Sequence, residues 1–265
     1  MKILGILNIT EDSFSDGGKY LEPAAALAHA RDLSKDADIL DIGAASSNPD
    51  SASVSAKIEI ARLENIVPTL REKGVPLSID TFTPEVQRWA LEQNVGYLND
   101  IHGFPNAALY PELAGSSAKL IVMHAIQREG RATRTDVPPS EIRGRIHRFF
   151  DTRLNALVKA GIARERLIVD PGMGFFLGSD PETSFAVLRA LPELKRAFGL
   201  PVLISVSRKS FLRKITGRPP AESGPASLAA ELFAALQGAD LIRTHDPKAL
   251  RDGLVLWREL AGNKL

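Results

Sequence analysis

Ile3-Leu-Gly-Ile-Leu-Asn-Ile-Thr-Glu-Asp-Ser-Phe-Ser-Asp16 is the stretch that decides between the two common folds in which strands and helices alternate. Its first five residues form a continuous apolar run, which is typical of a parallel strand buried on both faces. A doubly wound open sheet that binds a dinucleotide would place a glycine-rich turn directly after this strand. A polar segment beginning at Asn8 follows instead, so the stretch favours a closed barrel over an open sheet.

Seven more strand-like segments follow, each separated from the next by a helix-like segment. The predicted strands are 3–8, 38–43, 76–80, 96–99, 119–124, 167–170, 201–206 and 240–244. The predicted helices are 23–36, 55–73, 84–93, 106–115, 140–161, 181–198, 225–237 and 247–262. In a chain of 265 residues this alternation predicts one (β/α)8 TIM barrel domain, residues 1–265, with long rim loops after strands 1 and 2.

Proline and glycine mark the predicted helix ends. Proline is harmless in the first helical turn because the N–H groups there have no partner within the helix. Glycine ends helices because it adopts left-handed backbone without strain. The predicted starts are Pro23, Pro84, Pro181, Pro225 and Pro247, and the predicted ends are Gly74, Gly161, Gly199 and Gly238.

Composition excludes several classes of function. The formal net charge is +1, from 33 basic and 32 acidic residues, so no overall field attracts nucleic acid or an anionic membrane. The absence of cysteine excludes disulfides and thiol chemistry and fits a reducing compartment. No apolar run approaches the roughly 18 residues of a spanning helix, and the first run is too short for a secretory signal. We therefore expect a cytoplasmic protein that binds neither nucleic acid nor membrane.

Polar residues stand at or just after the ends of the predicted strands. Because parallel barrel strands all point the same way, these residues should share one rim, where the active sites of such barrels lie. They are Asn8, Asp41, Asp80, Asn99, His124, Asp170, Lys209, Arg243 and His245.

Three of these residues are suited to holding a flat, nitrogen-rich ring. Asp80, Asn99 and Asp170 offer carboxylate and amide oxygens, which accept parallel N–H bonds from an amidine-like or guanidine-like edge. The alternative is that they cap the helices that follow, since Asp80 lies four residues before Pro84 and Asp170 directly precedes Pro171.

The loops after strands 7 and 8 carry Lys209, Arg243 and His245. Barrels often bind phosphate at these two loops, so the three residues predict an anion site that suits a diphosphate. Alternatively, Lys209 and Arg243 form a structural ion-pair network with Asp170. Asn8 is either a ligand of Mg2+, which prefers oxygen donors, or a turn-forming residue.

Aromatic and cyclic side chains on the rim loops predict a place for a second, aromatic substrate. Each of them alternatively anchors its loop to the barrel. They are Phe14, Pro49, Phe175 and Phe176.

The chain resembles the dihydropteroate synthase family over nearly its whole length. Its motifs occur in that family's order: Gly5-Ile-Leu-Asn8, Asp12-Ser-Phe-Ser-Asp-Gly-Gly18, Asp41-Ile-Gly43, Asp80-Thr81, Asn99-Asp100, Met123-His124, Asp170-Pro-Gly-Met-Gly-Phe175, Ser207-Arg-Lys-Ser210 and Arg243-Thr-His245. The family joins 7,8-dihydropterin-6-ylmethyl diphosphate to p-aminobenzoate and releases diphosphate. The resemblance implies a transferase of folate biosynthesis, a homodimer, Mg2+ as cofactor and an SN1-like reaction in which diphosphate departs first.

The resemblance also implies roles for individual residues. The pterin-binding positions are Asp80, Asn99, Asp170 and Lys209. The diphosphate-binding positions are Asn8, Arg243 and His245, and Asn8 is also the metal ligand. The p-aminobenzoate region comprises Phe14, Asp16, Ser47, Pro49, Phe175, Phe176, Lys209 and Ser210. The catalytic group comprises Asp80, Asp170, Lys209, Arg243 and His245.

Two loops depart from the usual family pattern. The second loop reads Ala44-Ala-Ser-Ser-Asn-Pro49 where the family usually has Gly-Glu-Ser-Thr-Arg-Pro, and Gly174-Phe-Phe-Leu-Gly178 replaces the usual Gly-Phe-Gly-Lys. This pattern looks most like the sulfonamide-insensitive members. We hypothesise that an enlarged aromatic wall excludes the sulfonyl extension of a drug while admitting p-aminobenzoate.

Two other functions remain open at this point. A pterin-dependent methyltransferase barrel shares the ring-binding acids, but it does not need the anion site at Arg243 and His245. A non-catalytic pterin-binding barrel would retain the fold and lose turnover.

Overall fold

The computed structural model describes residues 1–10, 22–46, 54–127 and 136–262. The strands are β1 Lys2–Asn8, β2 Ile39–Gly43, β3 Leu77–Asp80, β4 Tyr97–Asp100, β5 Lys119–Met123, β6 Leu167–Asp170, β7 Leu203–Ile204 and β8 Leu241–Thr244. The helices are α1 Pro23–Leu33, α2 Ala56–Glu64, α3 Val67–Glu72, α4 Pro84–Glu92, α5 Tyr110–Gly115, α6 Pro139–Lys159, α7 Pro181–Arg189, α8 Leu191–Phe198, α9 Ser210–Thr216, α10 Gly224–Leu236 and α11 Pro247–Ala261.

The eight strands form one parallel sheet in the order β6-β5-β4-β3-β2-β1-β8-β7. The sheet closes on itself between β6 and β7, where Val169 bridges Val202 and the Val169 N–H donates to the Pro201 carbonyl at 3.0 Å. The predicted TIM barrel is therefore confirmed. Its extent as one domain over the whole chain stays a prediction.

The barrel interior contains an apolar layer near the amino ends of the strands, which we call the lower layer. Its members are Leu4, Ile39, Tyr97, Ile121, Ile168, Leu203 and Leu241. A second and larger core lies between the sheet and the surrounding helices and includes Leu40, Ile42 and Leu120. The two cores exist because successive strand residues face alternately inward and outward.

Proline breaks two helices that the sequence pattern predicts as continuous. The predicted helix 55–73 is divided into α2 and α3, and the predicted helix 181–198 into α7 and α8. Pro68 and Pro192 lie in the first turn of α3 and α8, where their missing N–H removes a bond to the preceding turn. The four predicted helix-ending glycines all have positive φ, as expected.

Strand 7 is shorter than predicted, with two regular residues instead of the six in 201–206. Pro201 has no N–H to donate, and the Val202 N–H donates to the Asp240 carboxylate at 2.9 Å rather than to a neighbouring strand. The short helix α9 was not predicted. Among the described residues, no helix is both long enough and apolar enough to cross a bilayer.

Candidate active site

Two residues beyond the lower layer, most of the inward-facing positions become polar. We call this level the upper layer. Since side chains at i and i+2 point to the same face of a strand, it lies directly above the lower layer. Its polar members are Asp41, Asn99, Asp170, Ser205 and Arg243, and Asp80 ends β3 beside them.

Arg243 is the centre of the upper layer. Its Nε donates to Asp41 Oδ2 at 2.5 Å and its Nη2 donates to Asp80 Oδ2 at 2.7 Å. The Asp41 side chain is fully buried, whereas 22% of the Asp80 side chain is exposed. Arg243 therefore joins β2, β3 and β8, and of its two carboxylates only Asp80 reaches the open mouth. This network differs from the sequence-based alternative, in which Arg243 pairs with Asp170.

Several buried polar atoms of the upper layer have no partner in the described parts of the chain. They are Asp41 Oδ1, Asn99 Oδ1 and Ser205 Oγ. Asn99 uses its Nδ2 to donate to Asp41 Oδ2 at 3.4 Å, which leaves its carbonyl oxygen as an acceptor. Buried polar groups are normally hydrogen-bonded, so unsatisfied acceptors at this level indicate a ligand site.

Asp170 stands on the opposite side of Asn99, at the end of β6. Its Oδ1 accepts the Gly172 N–H at 2.8 Å, and the residue is 2% exposed. Gly172 has φ of 78°, and a Cβ there would come within 2.3 Å of the His124 carbonyl oxygen. Glycine at 172 thus allows the loop to turn sharply and bring Asp170 into the mouth.

Burial raises the pKa of the two carboxyl groups at the mouth, Asp80 and Asp170. It raises the pKa of Asp80 to about 7, although the Arg243 guanidinium opposes the shift. It raises the pKa of Asp170 to about 6, although the Gly172 N–H and the Lys209 ammonium oppose it. Two acids that titrate close to neutral pH in one cleft are typical of a functional site.

Lys209 faces these acids from the loop after β7. Burial and the neighbouring Arg243 together lower its pKa to about 8, although the charges of Asp170 and Asp80 oppose the shift. Its Nζ lies 5.0 Å from the centre of the Phe176 ring, which is the geometry of a cation–π contact. Phe176 is 5% exposed, so it supports Lys209 from beneath.

An apolar wall closes the other side of the mouth. Buried Ile101, Met123 and Phe176 contact one another, and the half-buried Phe82 and Phe175 pack against them. These residues follow β3, β4, β5 and β6, so the wall faces the cations that follow β7 and β8. A flat ring between acids and apolar carbon would contact both surfaces.

His245 lies beside the cations and remains a neutral imidazole near pH 7. Burial and the charges of Arg208, Arg243 and Lys209 hold its pKa well below the usual value. Its Nδ1 lies 3.0 Å from Ser207 Oγ, which also accepts the His245 backbone N–H at 3.2 Å.

Asn8 ends β1 above Gly43, the last residue of β2. A Cβ on Gly43 would lie 3.5 Å from Asn8 Oδ1 and 3.9 Å from Asp80 Oδ2. The absence of a side chain at position 43 therefore leaves a small gap beside Asn8 Oδ1 and Asp80 Oδ2.

The structure brings together most of the residues that the sequence predicts for the site, namely Asn8, Asp80, Asn99, Asp170, Phe175, Phe176, Lys209, Ser210, Arg243 and His245. Ser210 begins α9 and approaches Gly174 of the loop after β6. Phe14, Asp16, Ser47 and Pro49 lie outside the described residues. His124 is buried, and its Nδ1 donates to the Pro171 carbonyl at 3.1 Å.

Sequence reasoning missed the partner of one acid and missed another acid altogether. Asp41 belongs to the predicted rim, but its partnership with Arg243 was not predicted, although an acid inside the apolar strand Ile39–Gly43 requires a cation. Glu231 was missed altogether; it is 1% exposed on α10. Its signal is its position between Ser227 and Ala234 on the buried face of that helix.

Comparison with known proteins identifies the class. The family model for pterin binding enzymes matches residues 4–245, and the chain belongs to that family.

The particular likeness is to dihydropteroate synthases. The chain is 58% identical to the type-2 dihydropteroate synthase of Escherichia coli, over 97% of this chain and 95% of that protein. It is also similar to the solved Yersinia pestis dihydropteroate synthase with a sulfonamide drug, with a TM-score of 0.90 and 32% identity over 98% of this chain and 94% of that one. A third likeness is to the Xanthomonas albilineans dihydropteroate synthase in complex with 7,8-dihydropteroate, with a TM-score of 0.81 and 32% identity over 98% and 92% of the two chains.

Proposed function

We propose that the chain is a dihydropteroate synthase, a transferase that joins 7,8-dihydropterin-6-ylmethyl diphosphate to p-aminobenzoate and releases diphosphate. One observation carries the proposal: the acids Asp80 and Asp170 and the cations Lys209 and Arg243 meet in a single cleft. A substrate that is a nitrogen-rich ring at one end and a diphosphate at the other needs both surfaces at once.

The acids would bind the pterin ring. Asp170 and Asp80 offer carboxylate oxygens to its N–H edge, and the unsatisfied Asn99 Oδ1 offers an amide oxygen. The wall formed with Ile101 and Met123 would contact the flat face of the ring. As diphosphate departs, the ionised Asp170 favours the positive charge that develops on the ring.

The cations would hold the diphosphate. Lys209 is protonated below its pKa of about 8 and donates to phosphate oxygens. Arg243 uses two of its five N–H donors on Asp41 and Asp80, so three donors remain for phosphate oxygens. The cluster of Asp41, Asp80, Asp170, Lys209 and Arg243 carries one excess negative charge when all five groups are ionised, so the phosphates are attracted by Lys209 and Arg243 and not by the cluster as a whole.

We propose Mg2+ as the cofactor, held in part by Asn8. No group of three acidic or histidine side chains within the described ranges forms a complete metal cage. Mg2+ usually takes one or two protein oxygens and completes its shell with substrate phosphates and water, and the gap beside Asn8 Oδ1 fits this partial role. When bound, the ion would neutralise charge on the leaving diphosphate.

The aryl amine requires no strong base because it is neutral near pH 7. The aromatic substrate would lie beside Phe175, Lys209 and Ser210, and with Phe14, Asp16, Ser47 and Pro49 of the two rim loops. Phe176 belongs to the same region as the support of Lys209.

A turnover assay tests the proposed function. Purified protein, both substrates and Mg2+ should yield dihydropteroate and one equivalent of diphosphate. Calorimetric pterin binding without turnover would favour a non-catalytic barrel instead. Methyl transfer from a methylated pterin, without diphosphate release, would favour the methyltransferase.

We further propose that sulfonamides inhibit this enzyme weakly, because Phe176 adds bulk to the apolar wall at a position where the usual family pattern has glycine. Relative to the Yersinia pestis protein, whose solved structure holds a sulfonamide drug, the inhibition constant for sulfamethoxazole should be at least about tenfold higher. Phe176→Gly, which restores the usual residue, should narrow this difference in inhibition constant, whereas Phe185→Ala on α7 should not. Equal inhibition of the two wild-type enzymes would contradict the proposal.

We also propose a homodimer, formed through α10 and α11, and a cytoplasmic location, which the cysteine-free composition suits. Large apolar side chains are exposed on these two adjacent helices, namely Phe233, Leu236, Val255, Leu256 and Leu260. Contiguous apolar patches of this kind mark interfaces. Analytical ultracentrifugation measures the oligomeric state. The wild type should sediment as a dimer, and the double variant Leu256→Glu, Leu260→Glu should sediment as a monomer.

A further inference from the structure

Glu231 is a buried acid that substrate binding does not explain. It lies on the inner face of α10 and is 1% exposed. The hydroxyl groups of Thr244 and Ser207 lie within hydrogen-bonding reach of its carboxyl group, and its Oε1 has no partner in the described parts of the chain. An unsatisfied buried acid costs stability, so its place beside the loops after β7 and β8 is better explained by a function.

Ser207 connects Glu231 to His245. Ser207 Oγ accepts the His245 backbone N–H at 3.2 Å and lies 3.0 Å from His245 Nδ1. A serine hydroxyl has one donor position and two acceptor positions. The Thr244 hydroxyl lies 3.5 Å from Ser207 Oγ, but it is the foremost hydrogen-bond partner of Glu231 and donates there. Because the backbone N–H of His245 occupies one acceptor position of Ser207, one donor and one acceptor position remain for Glu231 and Nδ1. Two arrangements therefore satisfy both partners.

In the first arrangement Glu231 is protonated and donates to Ser207 Oγ. Ser207 then donates to His245 Nδ1, and the ring proton stands on Nε2. In the second arrangement Glu231 is ionised and accepts from Ser207. His245 then donates from Nδ1 to Ser207 Oγ, and Nε2 carries a lone pair. The second state holds one proton fewer than the first, and that proton is released to solvent.

The charges around the two groups allow this exchange near neutral pH. Burial raises the pKa of Glu231 to about 7; the hydroxyls of Thr244 and Ser207 and the charge of Arg208 oppose the shift, and Asp246 adds to it. His245 faces Arg208, Arg243, Lys209 and His29, and its lowered pKa keeps the ring neutral throughout. Glu231 thus titrates while His245 retains a single ring proton.

We propose that Glu231 is a positioning residue that selects, through Ser207, the ring nitrogen on which His245 carries its proton. The consequence for catalysis rests on the proposed function: with Glu231 protonated, His245 offers an Nε2–H donor to the diphosphate. With Glu231 ionised, that donor is lost.

Nitrogen-15 NMR of protein labelled at histidine tests the selection without substrate. The His245 resonances are assigned by their loss in His245→Asn. In wild type the proton should move from Nε2 to Nδ1 between pH 6 and pH 8.5. In Glu231→Gln the amide donates to Ser207 as the protonated acid does, so the proton should stay on Nε2 at both pH values. Glu259→Gln, an exposed change on α11, should behave as wild type.

Ser207→Ala provides a second test that does not depend on any change at Glu231. Without the hydroxyl, the His245 tautomer should no longer follow pH. A wild-type tautomer that is constant from pH 6 to pH 8.5, or a Glu231→Gln protein that titrates as wild type does, would overturn the proposal.

Kinetics separate this proposal from the proposed function. At pH 7.5 the KM for the pterin diphosphate should be about threefold lower in Glu231→Gln than in wild type, with kcat little changed. A protein that shows the tautomer change but no synthase activity would refute the function and leave the role of Glu231 standing. If the enzyme is active but Glu231→Gln changes neither the KM for the pterin diphosphate nor the His245 tautomer, the role of Glu231 alone is refuted.

Discussion

The lower and upper layers of the barrel interior lie on the same strands, yet they differ in what holds them together. Ile168 belongs to the apolar cluster of the lower layer, whereas Asp170, two residues farther along β6, is a buried acid near the charge of Lys209. Two residues along each strand separate the lower layer, which stabilises the fold, from the upper layer, whose buried polar groups bind ligands and reduce the stability of the fold. The pair Ile168 and Asp170 allows the two levels to be tested separately.

Asp170→Asn should have the largest effect on activity. Loss of the charge that favours a cationic ring should lower kcat/KM by about 10³-fold. Folding should respond in the opposite direction, because an acid whose pKa is raised to about 6 makes the folded state less stable as pH rises from about 4 through 6. At pH 8 the variant should therefore gain about 1–2 kcal/mol in free energy of unfolding. Steady-state kinetics and urea unfolding at pH 4.5 and pH 8 measure the two effects. If Asp170→Asn lowers both kcat/KM and the free energy of unfolding at pH 8, the upper layer does not reduce stability as stated above.

Ile168→Ala should have the reverse effect. Removing buried methylene and methyl groups from the lower layer should lower the free energy of unfolding by about 2–4 kcal/mol. The kcat/KM of the folded fraction should stay within about twofold of wild type, since no ligand contact is lost. Urea unfolding followed by kinetics well below the unfolding midpoint would show this, and a tenfold loss of activity would mean that the two layers are coupled.

The pH dependence sharpens the role of the upper layer. Because the pKa of Lys209 is lowered to about 8, its charge is present below that pH and lost above it. The kcat/KM for the pterin diphosphate should therefore fall about tenfold per pH unit above pH 8. Lys209→Arg keeps its charge in this range, so its profile should lack the fall even if the variant is slower. A fall of equal size in Lys209→Arg would assign the ionisation to another group.

Phe176→Leu should have the smallest effect. The change removes the ring face beneath Lys209 and should cost about 0.5–1 kcal/mol of cation–π energy. The KM for the pterin diphosphate should rise about twofold to fivefold, and the alkaline fall should begin at lower pH. Phe185→Leu, which lies on α7 against Phe211, is the matched control and should leave the pH profile unchanged.

The sequence predicts the fold well because its signals are local. Each strand carries short apolar segments, and the polar residues near its carboxyl end fall at the rim by the geometry of a parallel barrel. The breaks before Pro68 and Pro192 follow from the missing N–H of proline and could have been predicted as well. The shortening of strand 7 could not, since it depends on the contact between Asp240 and Val202.

The sequence predicts which residues form the site but not how they pair with one another. Polar residues after apolar runs identify Asp80, Asp170 and Lys209, but which acid pairs with Arg243 depends on the arrangement of three strands in space. Glu231 looks like any helical glutamate until the fold places it behind His245. The roles of Phe14, Asp16, Ser47 and Pro49 stay predictions.

The closure between β6 and β7 has a consequence for substrate entry. A single bridge and the bonds around Asp240 form this seam, whereas β1 and β2 share five paired positions. We expect amide hydrogen exchange at Val169 and Val202 to be faster than at the centre of β1. Asp170 ends β6 and Lys209 follows β7, so these two residues lie on either side of the seam. Transient opening of the seam would therefore widen the cleft between them while the pairing of the other strands is kept.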